Sequence, residues 1–336
     1  MNFSLKYFLP LLLIVSKAFS QDVHFSQYNL SPLTLNPANT GNFKGDIRFF
    51  GNYRTQWRAL SQGYNTFSVG GDANLFPKNI NVGVGMFALN DLSAENLAVT
   101  KLMPSAAIHL KAAGFKFHFG VQPGVVIKTI DFYKHSFPEQ LNWNTGKFDN
   151  TLPNTEPNVA QRFVYFDANA GTFISRKFGK IEPGIGFSVF HINQPRESFL
   201  GNSKNKLPIR QAYNLDLKWQ IKQAALLHFY SLYGYTTKTS DWVSGVNIEY
   251  IMSKDAFFTN SVYAGFMWRD GFKRNPDAAI FTAGLTLANY TFGFSFDLTQ
   301  SQLKTSVNSQ GAYELAIIYR TKSTRLTRKI VPCDRF

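Results

Sequence analysis

Hydrophobic and polar residues alternate with period two along most of this chain, in about fourteen short segments separated by turn-forming residues. Ile209, Gln211, Tyr213, Leu215, Leu217, Trp219 and Ile221 share one face of such a segment, and Arg210, Ala212, Asn214, Asp216, Lys218, Gln220 and Lys222 share the other. Tyr290, Phe292, Phe294, Phe296 and Leu298 alternate with Thr291, Gly293, Ser295, Asp297 and Thr299. Tyr313, Leu315, Ile317 and Tyr319 alternate with Glu314, Ala316, Ile318 and Arg320. Helical spacing would scatter these sets around a cylinder, whereas strand spacing gathers each on one face. The pattern predicts strands near residues 45–58, 65–76, 79–90, 97–111, 115–128, 162–175, 179–192, 208–222, 225–237, 241–253, 256–268, 278–288, 290–299 and 311–321.

The connections between these strands sort by length. Pro77-Lys78, Ala113-Gly114, Lys177-Phe178, Gln223-Ala224, Lys254-Asp255 and Asn289 are tight turns. The alternate connections are mostly longer and include Thr129 to Gln161, Asn193 to Leu207, Arg269 to Asp277 and Gln300 to Gln310. Short periplasmic turns and long outer loops are the habit of outer-membrane barrels. The expected fold is therefore all-β: a transmembrane antiparallel outer-membrane β-barrel of about fourteen strands spanning residues 45–321. An even strand count puts both ends of the barrel on the periplasmic side. A soluble β-sandwich would also alternate, but with fewer strands and a hidden aromatic face.

The start of the chain agrees with export. Lys6 precedes an apolar run from Tyr7 to Val15, and Ala18-Phe19-Ser20 supplies small residues for cleavage before Gln21. The run is broken by Pro10 and is too short to cross ~30 Å of hydrocarbon as a helix. Residues 1–20 thus read as a signal peptide. Residues 21–44 read as a plug in the lumen or a segment below it, and 322–336 as a basic periplasmic tail.

Composition narrows the class further. Phe, Tyr and Trp make up 16% of the residues, which suits aromatic girdles at two membrane interfaces. The net charge is +14, but export directs this balance toward outer-membrane lipid and acidic partners rather than nucleic acid. The single cysteine, Cys333, excludes an internal disulfide.

Candidate chemistry is sparse. The six histidines, His24, His109, His118, His135, His191 and His228, form no metal-binding or catalytic motif, so no metal, cofactor or enzymatic activity is expected. The inward phase carries Arg48, Arg54, Asp72, Asp167, Arg210, Asp216, Lys218, Glu249, Asp297 and Glu314. Ion pairing that closes the lumen and holds a plug is the first reading of these charges, and a solute path the second. The register also sets an expectation for substitution: an arginine at Phe294, facing lipid, is costly, and one at Ser295, facing the lumen, is mild. Phe132, Tyr133, Trp143, Phe148 and Phe199 lie on the two longest outer loops and are candidate partner-binding anchors.

Three ordered blocks carry a resemblance. They are Gln21-Asp22-Val23-His24-Phe25-Ser26-Gln27-Tyr28 with Leu35-Asn36-Pro37-Ala38, Gly41, Asn52-Tyr53-Arg54 and Gln56-Trp57; His191-Ile192-Asn193-Gln194-Pro195 with Glu197-Ser198-Phe199 and Asn205-Lys206-Leu207-Pro208; and Pro332-Cys333-Asp334-Arg335-Phe336. Together they resemble the PorP/SprF family of the type IX secretion and gliding machinery of Bacteroidota. Asp334 stands where that family's ending has proline, and Asn39-Thr40 where it has an aromatic and a small residue. The resemblance implies a non-enzymatic outer-membrane barrel that supports export or surface retention of a large, adhesin-like protein bearing a C-terminal type IX sorting domain, with periplasmic machinery as further partners. The alternative is a passive channel for a solute or hydrophobic compound.

Overall fold

A computed structural model describes residues 23–58, 63–77, 80–93, 96–131, 138–143, 145–149, 151–152, 162–199, 205–237, 239–254, 259–271, 275–305 and 307–323. The expected signal peptide, the tail beyond 323, and the candidate anchors Phe132 and Tyr133 lie outside these residues.

Fourteen antiparallel strands close into one barrel. They are β1 (Ile47–Gln56), β2 (Tyr64–Leu75), β3 (Asn81–Ser93), β4 (Leu97–Ala112), β5 (Phe115–Ile130), β8 (Arg162–Arg176), β9 (Ile181–Phe190), β10 (Arg210–Lys222), β11 (Ala225–Tyr235), β12 (Ser240–Lys254), β13 (Thr259–Asp270), β14 (Pro276–Leu287), β15 (Tyr290–Thr299) and β16 (Gln310–Arg320). Each pairs with the next, and β1 pairs with β16 from Arg48↔Arg320 to Gln56↔Ala312, which closes the wall. Closure leaves no edge over the lipid-spanning height, as a bilayer without hydrogen-bonding solvent requires. All fourteen predicted segments are strands. Inside the long loop, two strands that periodicity did not reveal, β6 (Leu141–Asn142) and β7 (Lys147–Phe148), make a small hairpin.

The register follows the alternation. In β15, Phe292 and Phe294 are exposed on the outer surface, while Thr291, Gly293, Ser295 and Asp297 are buried inside. In β1, Phe49 and Tyr53 face out, and Arg48, Phe50, Asn52 and Arg54 face in. Strands of ten residues, such as β1, β9 and β15, match the ~9–11 residues that a tilted strand needs to cross the bilayer. By contrast β4, β5 and β8 have 16, 16 and 15 residues, and β8 rises beyond the end of β9 on the long-loop side. Short turns mark the opposite, periplasmic end.

One stretch of wall lacks part of its ladder. The β4–β5 pairing runs to Leu102↔Val125 and resumes at Ala106↔Val121, so Pro104 and Pro123 lie opposite one another between. Neither proline has an N–H to donate. Both side chains are exposed on the outer surface.

Residues 23–45 run inside the barrel. Two turns of 3-10 helix (Tyr28–Leu30 and Pro37–Asn39) and one short α-helix, α1 (Pro32–Leu35), fold this segment compactly. Phe25, Leu30 and Leu33 pack against Phe50, Phe87, Met103 and Ile318 on one side of the lumen. Tyr28 and Leu35 pack against Phe190, Leu232, Met267 and Ile280 on the other. The barrel interior is therefore a core rather than an empty bore.

Candidate functional site: the filled lumen and the outer rim

The plug is held at both ends by charge. Toward the outer end, Ser26 sits among four charged side chains. Its hydroxyl donates to Asp297 Oδ2 at 2.8 Å and accepts from Arg54 Nη1 at 2.7 Å and Arg269 Nη1 at 3.0 Å. That uses the one donor and both lone pairs of a serine hydroxyl. The backbone N–H groups of Ser26 and Gln27 donate to the two oxygens of Glu314, at 2.5 and 2.9 Å. Arg54 also pairs with Glu314 directly and with Asp297 at 3.1 Å. Arg269 bridges Asp297 at 3.0 Å and Asp277 at 2.5 Å. The side chains of Arg54, Arg269, Asp297 and Glu314 are no more than 4% exposed. Buried ions of this kind are tolerable only when each is paired, so deleting one partner strands the others at a cost of about 3–5 kcal/mol.

Toward the periplasmic end, Arg48 forks onto Asp72, with Nε and Nη2 at 2.9 and 2.7 Å, and its Nη2 also donates to Asn39 O at 3.0 Å. Asp72 in turn accepts the Gly41 N–H at 2.6 Å. His109 and His118 face each other across β4 and β5, with Nδ1 atoms 2.6 Å apart, and His109 Nε2 lies 2.9 Å from Thr40 O. A carbonyl only accepts, so His109 Nε2 carries a proton and donates. Burial raises the Tyr28 phenol above its usual range. At the outer end, desolvation, partly offset by Asp241, lowers the His24 imidazole to about 4.

Small residues form the seat for the plug. Gly83, Ala107, Gly120 and Gly171 lie side by side across β3, β4, β5 and β8, followed by Ser188 on β9 and Ala212 on β10. A Cβ at Gly120 would stand 2.3 Å from the Pro37 carbonyl, and one at Gly83 would stand 2.0 Å from Thr40 O. Any other residue at either position would displace the plug backbone. Just above this shelf, where the β4–β5 ladder is interrupted, Thr40 bonds Ser105 at 2.9 Å and Gln122 bonds Leu33 O at 3.1 Å. The plug thus bonds the side chains beside the interruption in the β4–β5 ladder.

The remaining sequence-predicted charges have other partners. Asp167 meets His191 Nδ1 at 2.9 Å, Glu249 meets His228 at 3.1 Å, Asp216 lies 3.7 Å from Lys218, and Arg210 lies 4.0 Å from Asp241. The inward charges do not form one path; they divide into an outer cluster, a periplasmic cluster and isolated pairs. Sequence reading missed Arg269, because the predicted strand stopped at 268, one residue short. It missed the histidine pair too, although the two-residue turn at Ala113-Gly114 fixes His109 opposite His118. The expectation of a mild Ser295→Arg is corrected: Ser295 is fully buried in a filled interior, so an arginine there must displace packed side chains.

On the outer rim, the β6–β7 hairpin carries Trp143 near its tip, 85% exposed, and Phe148, 54% exposed. Phe199 behaves differently. Its ring stands edge-on to Phe163 of β8, centroids 4.6 Å apart, and packs the loop against that strand. The 191–207 loop is also fastened by Lys128 to Glu197 and by Leu207 N to Pro195 O at 2.9 Å. Among the described residues, no group of three or more His, Cys, Asp or Glu could hold a metal ion.

The model of the type IX secretion system membrane protein PorP/SprF matches residues 17–319. The chain belongs to the PorP/SprF family. The blocks at the start and middle of the chain that carry the resemblance acquire structural meaning here: the first supplies the plug, and the second supplies the loop that follows β9. No curated protein sequence matches this PorP/SprF protein. Among solved structures, it is similar to the CymD monoaromatic hydrocarbon channel, with TM-score 0.51 and 9% identity over 88% of this chain and 94% of that one. It is also similar to a TodX monoaromatic hydrocarbon channel mutant (TM-score 0.50, 10% identity, 86% and 92% covered) and to the Ralstonia pickettii toluene transporter TbuX (0.49, 11%, 87% and 93%). At such identities the likeness establishes the fold alone. Barrel and family together make this an outer-membrane component of type IX secretion.

Proposed function

We propose that this barrel is non-enzymatic and supports export or surface retention of a large partner protein bearing a C-terminal sorting domain, using its outer loops as the contact surface. The observation that carries this reading is the filled lumen. Apolar packing and paired charge from Ser26 to Gly41 leave the outer rim as the working face. Trp143 and Phe148 supply exposed aromatic anchors there, and a buried interface aromatic can contribute ~2 kcal/mol or more. Phe132 and Tyr133 belong to the same loop in sequence.

A second reading, passage of an apolar compound, draws on the hydrocarbon channels that share the fold. It requires the plug to move, and the buried ion pairs at both its ends oppose that.

The test is deletion of the chain followed by complementation with the wild type or with the Thr129 to Gln161 loop shortened to a tight turn, reading large surface proteins by mass spectrometry. Loss in the null strain, rescue by wild type and failure of the shortened loop are expected. A null strain that keeps every large surface protein and loses uptake of one compound contradicts the reading.

A further inference from the structure

Strand β8 has two edges of unequal fate. One is paired to β5 along its whole length, from Phe115↔Arg176 to Thr129↔Arg162. The other is paired to β9 only from Ala170↔Val189 to Ser175↔Gly184. Strand β9 ends at Phe190, and His191, with φ 58°, turns the chain away.

For one more step the following loop imitates a strand. Ile192 N donates to Ala168 O at 3.0 Å. The Asn193 side chain then accepts from Ala168 N at 3.1 Å and donates to Phe166 O at 2.7 Å. Here the imitation ends. In an antiparallel ladder the groups facing one edge belong to alternate residues. The next edge-facing groups are the N–H of Phe166, both backbone groups of Val164 and those of Arg162. No described residue pairs with them.

This stretch, unpaired by any described residue, lies above the end of β9, whose ten residues already cross the bilayer. It therefore stands at the outer surface, facing water. Val164 and Phe166 are 54% and 55% exposed beside it. An unpaired, apolar strand edge in water is a template for another strand. Arg162 on the strand, and Arg196 and Lys206, which bridge to one another in the loop that follows β9, are exposed and paired with no described carboxylate, while Glu197 is already held by Lys128.

We propose that the Arg162–Phe166 edge of β8 receives an extended segment of the exported partner as an added β-strand. The segment carries apolar side chains at alternate positions, to lie beside Val164 and Phe166, and acidic residues near its ends, to meet Arg162, Arg196 and Lys206. Backbone bonds supply affinity in such strand addition, and the flanking charges supply register. This inference rests on the secretion-partner reading and names the surface it uses.

Proline at 164 tests it, because the Val164 N–H points to the free edge and contributes nothing to the β5 ladder. An edge strand tolerates proline in that orientation. The probe is the set of large surface proteins that a null strain loses. Complementation with Val164→Pro should lower their surface level at least tenfold, with the barrel keeping its heat-dependent gel shift. Val164→Ala, which keeps the amide, should stay within about twofold of wild type. The double variant Arg162→Glu, Lys206→Glu leaves every backbone group in place and should also lower retention; it decides the matter if the proline variant fails to fold. Wild-type retention by folded Val164→Pro, or by the charge-reversed pair where the proline variant does not fold, overturns the edge assignment alone. A null strain that loses no surface protein overturns the secretion-partner reading and this inference with it.

Discussion

Single residues in this barrel answer to two different environments one position apart. Phe294 faces lipid and Ser295 faces a packed interior. An arginine at Phe294 must enter hydrocarbon, at a cost of ~2–4 kcal/mol if the position is near the midplane. An arginine at Ser295 must displace packed side chains and the plug behind them. Both variants are expected to lose the heat-resistant folded band on a gel, and Ser295→Arg alone should regain it when the plug segment is deleted. Equal rescue of both would show that the assigned faces are wrong. At this scale the sequence was legible as to which side each residue faces, since period two reports direction directly. What lies on that side was not legible. The lumen could have held water, and only the approach of Pro37 to Gly120 and of Thr40 to Gly83 reveals that it holds protein. The partners of Arg54 come from the far end of the chain, and no spacing rule links residues 26, 54, 269, 297 and 314.

At the scale of elements, the strands were readable nearly to their ends: the long β4, β5 and β8 begin at the expected residues 97, 115 and 162 and end within two residues of expectation. Alternation carries even the top of β8, where Val164 and Phe166 face out and Phe163 and Tyr165 face in. The plug was readable only as a break in the pattern, since its backbone is satisfied by short helical turns and by side chains from other strands. Its fit depends on the row of small residues beneath it. Gly120→Ala is therefore expected to lift the segment without opening the barrel. A cysteine replacing the fully buried Ala38 should resist a small maleimide in the wild-type background and react in the Gly120→Ala background. Continued protection in the glycine variant would mean that the shelf does not seat the plug.

At the scale of the molecule, the arrangement is a closed barrel with its interior spent on holding its own N-terminal segment and its outer rim left uneven and exposed. The β4–β5 ladder is interrupted where Pro104 meets Pro123, and the plug bonds the flanking side chains at that height. Plug and wall thus stabilise one another, and the function is expected at the rim rather than through the bore. Family membership was readable from ordered blocks in the sequence; why those blocks have their residues is physical, with Ser26 shared between two arginines and Asp297, and Asn193 standing in for a strand. The most direct measurement of this account is the conductance of the purified full-length barrel in a planar bilayer at neutral pH. A filled lumen predicts no steady current from the wild type and an open pore once residues 23–41 are removed. A steady wild-type current would contradict the closed barrel and return the protein to the class of channels.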